Sequence, residues 1–165
     1  MTLSTQTPTQ NPTPTPTQTP TEARAEVRAV LDEYAAAHEA RDVERMLACF
    51  ATDTVRFSLA PPLQQAPGTM VGDAEGLRKW LAGFAGPVLI ERRELTVEVD
   101  GSVAFAHALS RMTATPAGAP ESFSFWFRSS FGLRRIDGQW RIAHLHDSTP
   151  FHMDGSFRAA VDLEP

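Results

Sequence analysis

The stretch that decides the fold is Trp140–Pro150, which reads W-R-I-A-H-L-H-D-S-T-P. Side chains two residues apart on a β-strand point to the same face of a sheet. Trp140, Ile142, His144 and His146 would then share one face, which changes from apolar to hydrogen-bonding along the strand. This pattern predicts a last strand that lines a closed pocket, with both imidazole rings facing into it.

Two Asp-Gly dipeptides, Asp100-Gly101 and Asp137-Gly138, connect long alternating segments between positions 88 and 148. Because this dipeptide favours the two-residue turn of a β-hairpin, the segments are predicted to form an antiparallel meander. Strands of roughly 12 residues exceed the usual length, so the sheet is expected to coil strongly or to contain bulges. Gly132 is a candidate bulge position.

Three helices are predicted before the meander. Apolar residues three and four positions apart follow Thr21, the expected N-cap of the first helix, while Asp42 and Asp73 are expected to cap the second and third. A short strand is predicted at 54–59, where two prolines follow. The expected fold is α+β: a cone-shaped roll in which three N-terminal helices pack on a strongly curved, mostly antiparallel mixed sheet.

Composition predicts one domain at 21–165 after a Thr/Pro-rich tail at 1–20. The tail has little to bury and is expected to be disordered, with a role as ligand for a proline-recognition domain as the alternative. The net charge of -5 without basic runs argues against binding to nucleic acid or to an anionic membrane. The single cysteine, Cys49, excludes an internal disulfide and favours a cytoplasmic location.

The segment 21–165 resembles the SnoaL-like, ketosteroid-isomerase-like branch of the nuclear transport factor 2 superfamily. This resemblance rests on the order of helices and strands and on G-x-W-x-I-x-H-x-H-x-S-x-P at 138–150. It implies a cone-shaped fold with a ligand pocket. The same ending resembles the association domain of calcium/calmodulin-dependent protein kinases, which implies the alternative function of a non-catalytic oligomerisation or ligand-sensing module.

The isomerase resemblance also implies positions for catalytic residues, and this chain keeps only one of them. Tyr34 matches the tyrosine that holds the developing enolate oxygen. The general base, an aspartate in a V-E-D-P segment, corresponds to Phe57 or Ser58 in V-R-F-S. A second, protonated acid corresponds to about Ser129. Both isomerase carboxylates are therefore missing from their expected positions.

Alternation along the strands predicts a different set of polar groups for the pocket. His107 and Arg111 share one side of a strand, and Trp126 and Arg128 share one side of the next. Guanidinium and imidazole groups suit a carboxylate, a phenolate or a polarised carbonyl. The predicted substrate-binding residues are Arg111, Arg128, His144, His107 and Trp126, and the predicted catalytic residues are His146, as general acid or base, and Tyr34.

Other interpretations of these residues stay open. Each arginine could instead pair with a carboxylate of the first helix: Glu33, Glu39 or Asp32. His144 could have a purely structural role beside Trp140. The H-x-H spacing could bind a divalent metal, but no third ligand is evident, so neither a metal nor another cofactor is expected.

The alternating phenylalanines Phe123, Phe125 and Phe127 predict either a core face or a homodimer face. With helices on only one side of the sheet, the other side is expected to be covered by a second copy of the chain. The sequence therefore predicts a homodimeric pocket protein that binds or converts a small anionic or aromatic metabolite. Isomerase, lyase and hydrolase activities all remain open.

Overall fold

The computed structural model of the protein describes residues 19–165, so the predicted tail at 1–20 lies outside the described residues except for its last two positions. The elements in chain order are α1 (Pro20–Ala40), α2 (Val43–Ala48), β1 (Phe50–Phe57), α3 (Thr69–Gly72), α4 (Ala74–Ala82), β2 (Leu89–Asp100), β3 (Val103–Ala114), β4 (Phe123–Ile136) and β5 (Gln139–Ser148). The sheet order is β1-β5-β4-β3-β2, with β1 parallel to β5 and the other neighbours antiparallel. The predicted α+β architecture is confirmed.

The helix caps differ from the prediction at one end only. α1 begins two residues early because Thr19, not Thr21, forms a capping box with Glu22, and Pro20 occupies the first helical turn. Asp42 accepts a hydrogen bond from the Arg45 N–H at 3.0 Å and caps α2 as predicted. Asp73 caps α4 in the same way. The one-turn helix α3 before it was not predicted.

Both Asp-Gly dipeptides lie at hairpin turns, as predicted. At the second turn, Asp137 and Gly138 both have positive φ, 49° and 80°, which a two-residue turn of this hand requires. β5 also contains a bulge, because Gly132 of β4 pairs with His144 while its neighbour Leu133 pairs with Ile142. Ala143 is thus the extra residue of the bulge, opposite the glycine where the sequence predicted one.

The two faces of the sheet have different environments. The inner face, which packs against the helices, carries Ala106, Phe131 and Ile142, all within the buried core that also contains Val27 and Leu31 of α1. The outer face consists of the residues that alternate with them. No helix within residues 19–165 has both the length and the apolar character needed to cross a membrane.

Candidate functional site

A cavity of about 720 Å³ lies between the inner face of the sheet, the helices and the loop at 58–66. This volume is in the usual range for sites that bind small molecules. Seven of its polar lining side chains come from six different elements: Tyr34 and His38 of α1, Arg56 of β1, Arg92 of β2, Ser110 of β3, Ser129 of β4 and Asp147 of β5. The remaining lining is largely apolar.

Asp147 is the carboxylate at the polar end of the cavity. Ser129 donates a hydrogen bond from its Oγ to Asp147 Oδ1 at 2.7 Å, and Ser110 donates to Ser129 Oγ at 2.9 Å. Burial raises the pKa of Asp147 above its ordinary value, against the opposing effects of the Ser129 hydrogen bond and of nearby Arg56. A carboxylate in this state is a stronger base than one in water.

Two arginines, Arg56 and Arg92, approach the same end of the cavity. Arg56 Nη2 lies 4.0 Å from Asp147 Oδ2, and Arg56 Nη1 contacts Met70 Sδ at 3.7 Å. Arg92 Nη1 donates to the backbone carbonyl of Leu31 at 2.9 Å. Burial lowers the pKa of Arg92, although the group stays a cation at neutral pH. This end of the cavity therefore holds two guanidinium groups and the Asp147 carboxylate.

Tyr34 and His38 lie one turn apart on α1 and complete the polar lining. His38 Nδ1 is 2.8 Å from the Tyr34 backbone carbonyl, which can only accept, so Nδ1 carries the proton. Burial lowers the pKa of His38 from 6.5 to about 4, and the ring is therefore neutral at pH 7. Burial also raises the pKa of the Tyr34 hydroxyl, which remains protonated. Both groups can accept or donate hydrogen bonds without carrying charge.

The apolar walls are formed by aromatic and aliphatic side chains. Phe125 and Phe127 have ring centroids 5.8 Å apart and line the cavity, while Phe123 packs against the core. The alternating phenylalanines therefore belong to the inner face, the core alternative of the two predicted. Trp80 and Leu77 of α4 line the side provided by that helix. These walls favour a flat, partly apolar ligand.

The two histidines of β5 do not face this cavity, so the predicted shared face is wrong. The bulge at Ala143 reverses the alternation within β5: Trp140 and Ile142 stay on the inner face, but Leu145 and Asp147 follow them there. His144 and His146 consequently lie on the outer face. Both rings lie nearly perpendicular to the Phe57 ring, with centroid distances of 5.1 and 5.5 Å.

The other predicted binding residues also lie on the outer face. Arg111, which pairs with Trp126 across β3 and β4, forms an ion pair with Glu91 and not with α1. Trp126 is buried, with the guanidinium groups of Arg93 and Arg111 at 4.8 and 5.2 Å from its ring centroid, and it donates its indole N–H to Glu164 at 2.7 Å. The remaining two predicted residues, Arg128 and His107, are exposed on this face. Of the seven predicted site residues, only Tyr34 lines the cavity.

A second, smaller crevice on α1 and α2 contains Cys49. Burial raises the pKa of the Cys49 thiol to about 11, so the group is a neutral core side chain at pH 7. Within residues 19–165, no three histidine, cysteine or acidic side chains are placed to hold a metal ion. The cavity is therefore the best-formed candidate site in the described part of the chain.

Comparison with known proteins identifies the family. The SnoaL-like domain matches residues 27–152. This chain belongs to the SnoaL-like family. Among solved structures, a nuclear transport factor 2-like protein of unknown function from Pseudomonas putida KT2440 is similar at 30% identity with a TM-score of 0.75, covering 88% of this chain and 98% of that chain. Comparison with curated proteins gave no match.

Two further structures support the cone fold of this SnoaL-like protein. A ketosteroid isomerase-like protein from Erwinia carotovora atroseptica SCRI1043 is 20% identical with a TM-score of 0.64, covering 77% of this chain and 95% of that chain. A nuclear transport factor 2-like superfamily protein from Salmonella enterica serovar Typhimurium LT2 is 17% identical with a TM-score of 0.69, covering 82% and 96% respectively. At these identities the likeness concerns the fold alone.

The sequence did not predict the four ionisable residues that join Tyr34 at the polar end of the cavity: Asp147, Arg56, Arg92 and His38. His38 lies on the apolar stripe of α1 four residues after Tyr34. Because residues at this spacing share one helix face, the position indicates that His38 lies beside Tyr34. Ser129, where the resemblance predicts an acid, donates instead to a carboxylate on the neighbouring strand. The acid that the resemblance places on β4 is missing there, as the sequence indicates, and the carboxylate of the cavity lies on β5.

Proposed function

We propose that this SnoaL-like protein binds a small aromatic or anionic metabolite in the cavity and converts it by proton transfer, as an isomerase or lyase without a required cofactor. The observation that carries the proposal is the position of Asp147. Its carboxylate lines an apolar cavity, has a raised pKa and lies 4.0 Å from a guanidinium nitrogen of Arg56. Groups with shifted pKa values in a cavity are the usual candidates for acid–base catalysis.

Asp147 acts as the general base in this proposal. When it removes a proton from a carbon next to a carbonyl group, the carboxylate becomes neutral and the C–H electron pair moves onto the carbonyl oxygen as an enolate. Arg56 and Arg92 stabilise that oxygen, because both cations line the same cavity as Asp147. The total charge in the cavity is unchanged by the transfer, so the low-polarity surroundings do not oppose it.

Ser129 and Ser110 position the base. Their two hydrogen bonds, of 2.7 and 2.9 Å, fix one carboxylate oxygen and leave Oδ2 toward Arg56. Because Ser129 donates to the ionised form, its hydrogen bond also limits the rise in the pKa of Asp147. Ser129→Ala should therefore weaken the ordering of the base and raise its pKa further.

A nitrobenzisoxazole tests the base without knowledge of the natural substrate. Removal of its ring C–H proton breaks the N–O bond, forms a nitrile and releases a coloured phenolate. We expect elimination faster than in buffer, loss of at least about tenfold of that rate in Asp147→Asn, and no change in Arg24→Met, whose side chain lies on the exposed surface of α1. The wild-type rate should rise with pH as Asp147 ionises.

Two results would contradict the proposal. One is elimination that Asp147→Asn leaves unchanged, and the other is a wild-type rate equal to that of buffer. Binding of the probe without elimination would favour the alternative function, a ligand-sensing module without turnover. Unfolding curves of the variants serve as the control for folding.

A further inference from the structure

Arg56 and Arg92 have more hydrogen-bond donors than acceptors around them. Each guanidinium has five N–H donors. Within residues 19–165, Arg56 has a single acceptor, Met70 Sδ at 3.7 Å, since Asp147 Oδ2 at 4.0 Å is beyond hydrogen-bond range, and Arg92 donates to the Leu31 carbonyl. The Nε atoms of both arginines are buried with no acceptor among the described residues. Buried donors in this state are costly unless an acceptor joins them.

Among the described residues, the two arginines share a single ion-pair contact, that of Arg56 with Asp147 at 4.0 Å. Asp147 lies on β5 beside β1, and burial raises the pKa of its carboxyl. From α1, Tyr34 and His38 face the arginines as neutral groups. The other groups that act on this end from further away are Asp32, Cys49 and, across β5, His146. Asp73 lines the α4 side of the cavity, but its carboxylate is engaged by the Gly76 N–H at 2.8 Å.

We propose that the cavity contains an anion subsite in which Arg56 and Arg92 together bind the carboxylate of an aromatic acid. The carboxylate oxygens accept N–H groups of both guanidiniums, and the ring lies against Phe125 and Phe127. Arginine suits this role because its planar fork matches a carboxylate. The inference rests on the proposed function, which makes this cavity the ligand-binding site. It adds that the ligand is an anion and that its carboxylate points to the two arginines.

The subsite competes with Asp147 for the same cations. An ionised Asp147 beside Arg56 repels a second carboxylate, so anion binding and proton uptake by Asp147 are coupled. Replacing Asp147 with asparagine removes the competing charge. Asp147→Asn should therefore strengthen the binding of an aromatic carboxylate although it should slow elimination, and it should reduce the dependence of binding on pH.

Calorimetric titration with naphthoate and with naphthamide, its neutral analogue, tests the subsite. We expect the wild type to bind naphthoate at least about tenfold more tightly than naphthamide, because hydrogen bonds to charged groups are the stronger ones. Arg56→Met and Arg92→Met should each remove most of that preference while naphthamide binding persists, which also shows that the cavity is intact. Arg24→Met, a surface arginine of α1, is the matched control and should bind as the wild type does.

Equal affinities of the wild type for naphthoate and naphthamide would overturn the inference, as would a preference that survives both arginine substitutions. If Arg56→Met or Arg92→Met fails to fold, naphthoate binding by the wild type and by Asp147→Asn is compared instead. Weaker naphthoate binding in Asp147→Asn would contradict the coupling. Failure here is distinguishable from failure of the proposed function: elimination that depends on Asp147 would stand even if the carboxylate gave no advantage.

Discussion

His38 is the residue whose titration should be visible in the stability of the protein. Its pKa falls from 6.5 to about 4 on burial, so between these values the unfolded chain binds more protons at this site than the folded one. The free energy of unfolding therefore decreases as the pH is lowered from 6.5 toward 4, and the His38 contribution is worth about 3 kcal/mol at most. Urea unfolding at a series of pH values measures it.

His38→Gln is the matched variant, since the amide can still donate to the Tyr34 carbonyl but does not titrate. We expect this variant to lose less stability than the wild type between neutral pH and about pH 4.5. The raised pKa of Asp147 acts in the opposite direction, which is why the comparison is between the two proteins and not between two pH values. Parallel curves for both would show that His38 is not held neutral.

At the scale of single residues, the sequence predicted a kind of chemical group that the cavity holds, but not the residues that supply it. Two guanidinium groups in a pocket were expected, and two are present, but as Arg56 and Arg92 in place of Arg111 and Arg128. Strand alternation assigns residues to two sets without saying which set faces inward. On β3 and β4 the polar set containing Arg111 and Trp126 faces outward, and the set containing the phenylalanines faces the cavity.

At the scale of the elements, the β5 bulge determines which side chains reach the cavity. Thr54 of β1 is fully buried, and its hydroxyl lies 2.7 Å from the Ile142 carbonyl and 2.6 Å from the Ala51 carbonyl. The first contact joins β1 to the residue immediately before the bulge. The hydroxyl thus supplies a donor where the register between β1 and β5 is interrupted.

Thr54→Val removes this donor with little change of shape and should lower the free energy of unfolding by about 1–2 kcal/mol, because a buried carbonyl loses its partner. Thr52→Val, at an exposed position of the same strand, is the control and should change stability by less than about 0.5 kcal/mol. Chemical denaturation measures both. Equal effects of the two substitutions would mean that the Thr54 hydroxyl does not stabilise the bulge.

Most elements were predictable because their signals are local. The Asp-Gly turns and the caps at Asp42 and Asp73 depend on a few consecutive residues. The sequence predicted a bulge at Gly132, whereas the extra residue, Ala143, lies opposite that glycine on β5. A single extra residue moves every later side chain of the strand to the other face. Asp147 therefore faces the cavity, and His144 and His146 lie on the outer face.

At the scale of the whole molecule, the predicted homodimer stays a prediction. The outer face exposes Val103 and Phe105, each with 52% of its surface accessible, beside the polar residues described above. Light scattering during size-exclusion chromatography should give twice the 18.1 kDa mass of the chain. Phe105→Glu should shift the mass toward that of one chain if this face is the interface. A monomeric mass for the wild type at all concentrations would contradict the prediction.

The central claim is that ligands bind on the inner face, beside Asp147 and the two arginines, and not at the histidines of the outer face. The three tryptophans report on this directly: Trp80 lines the cavity, Trp126 lies on the outer face, and Trp140 is buried at the start of β5. Their indole N–H signals can be followed by nuclear magnetic resonance during a titration with naphthoate. We predict that the Trp80 signal shifts with saturation while the Trp126 signal stays in place. A saturating shift of Trp126 with Trp80 unchanged would contradict the account.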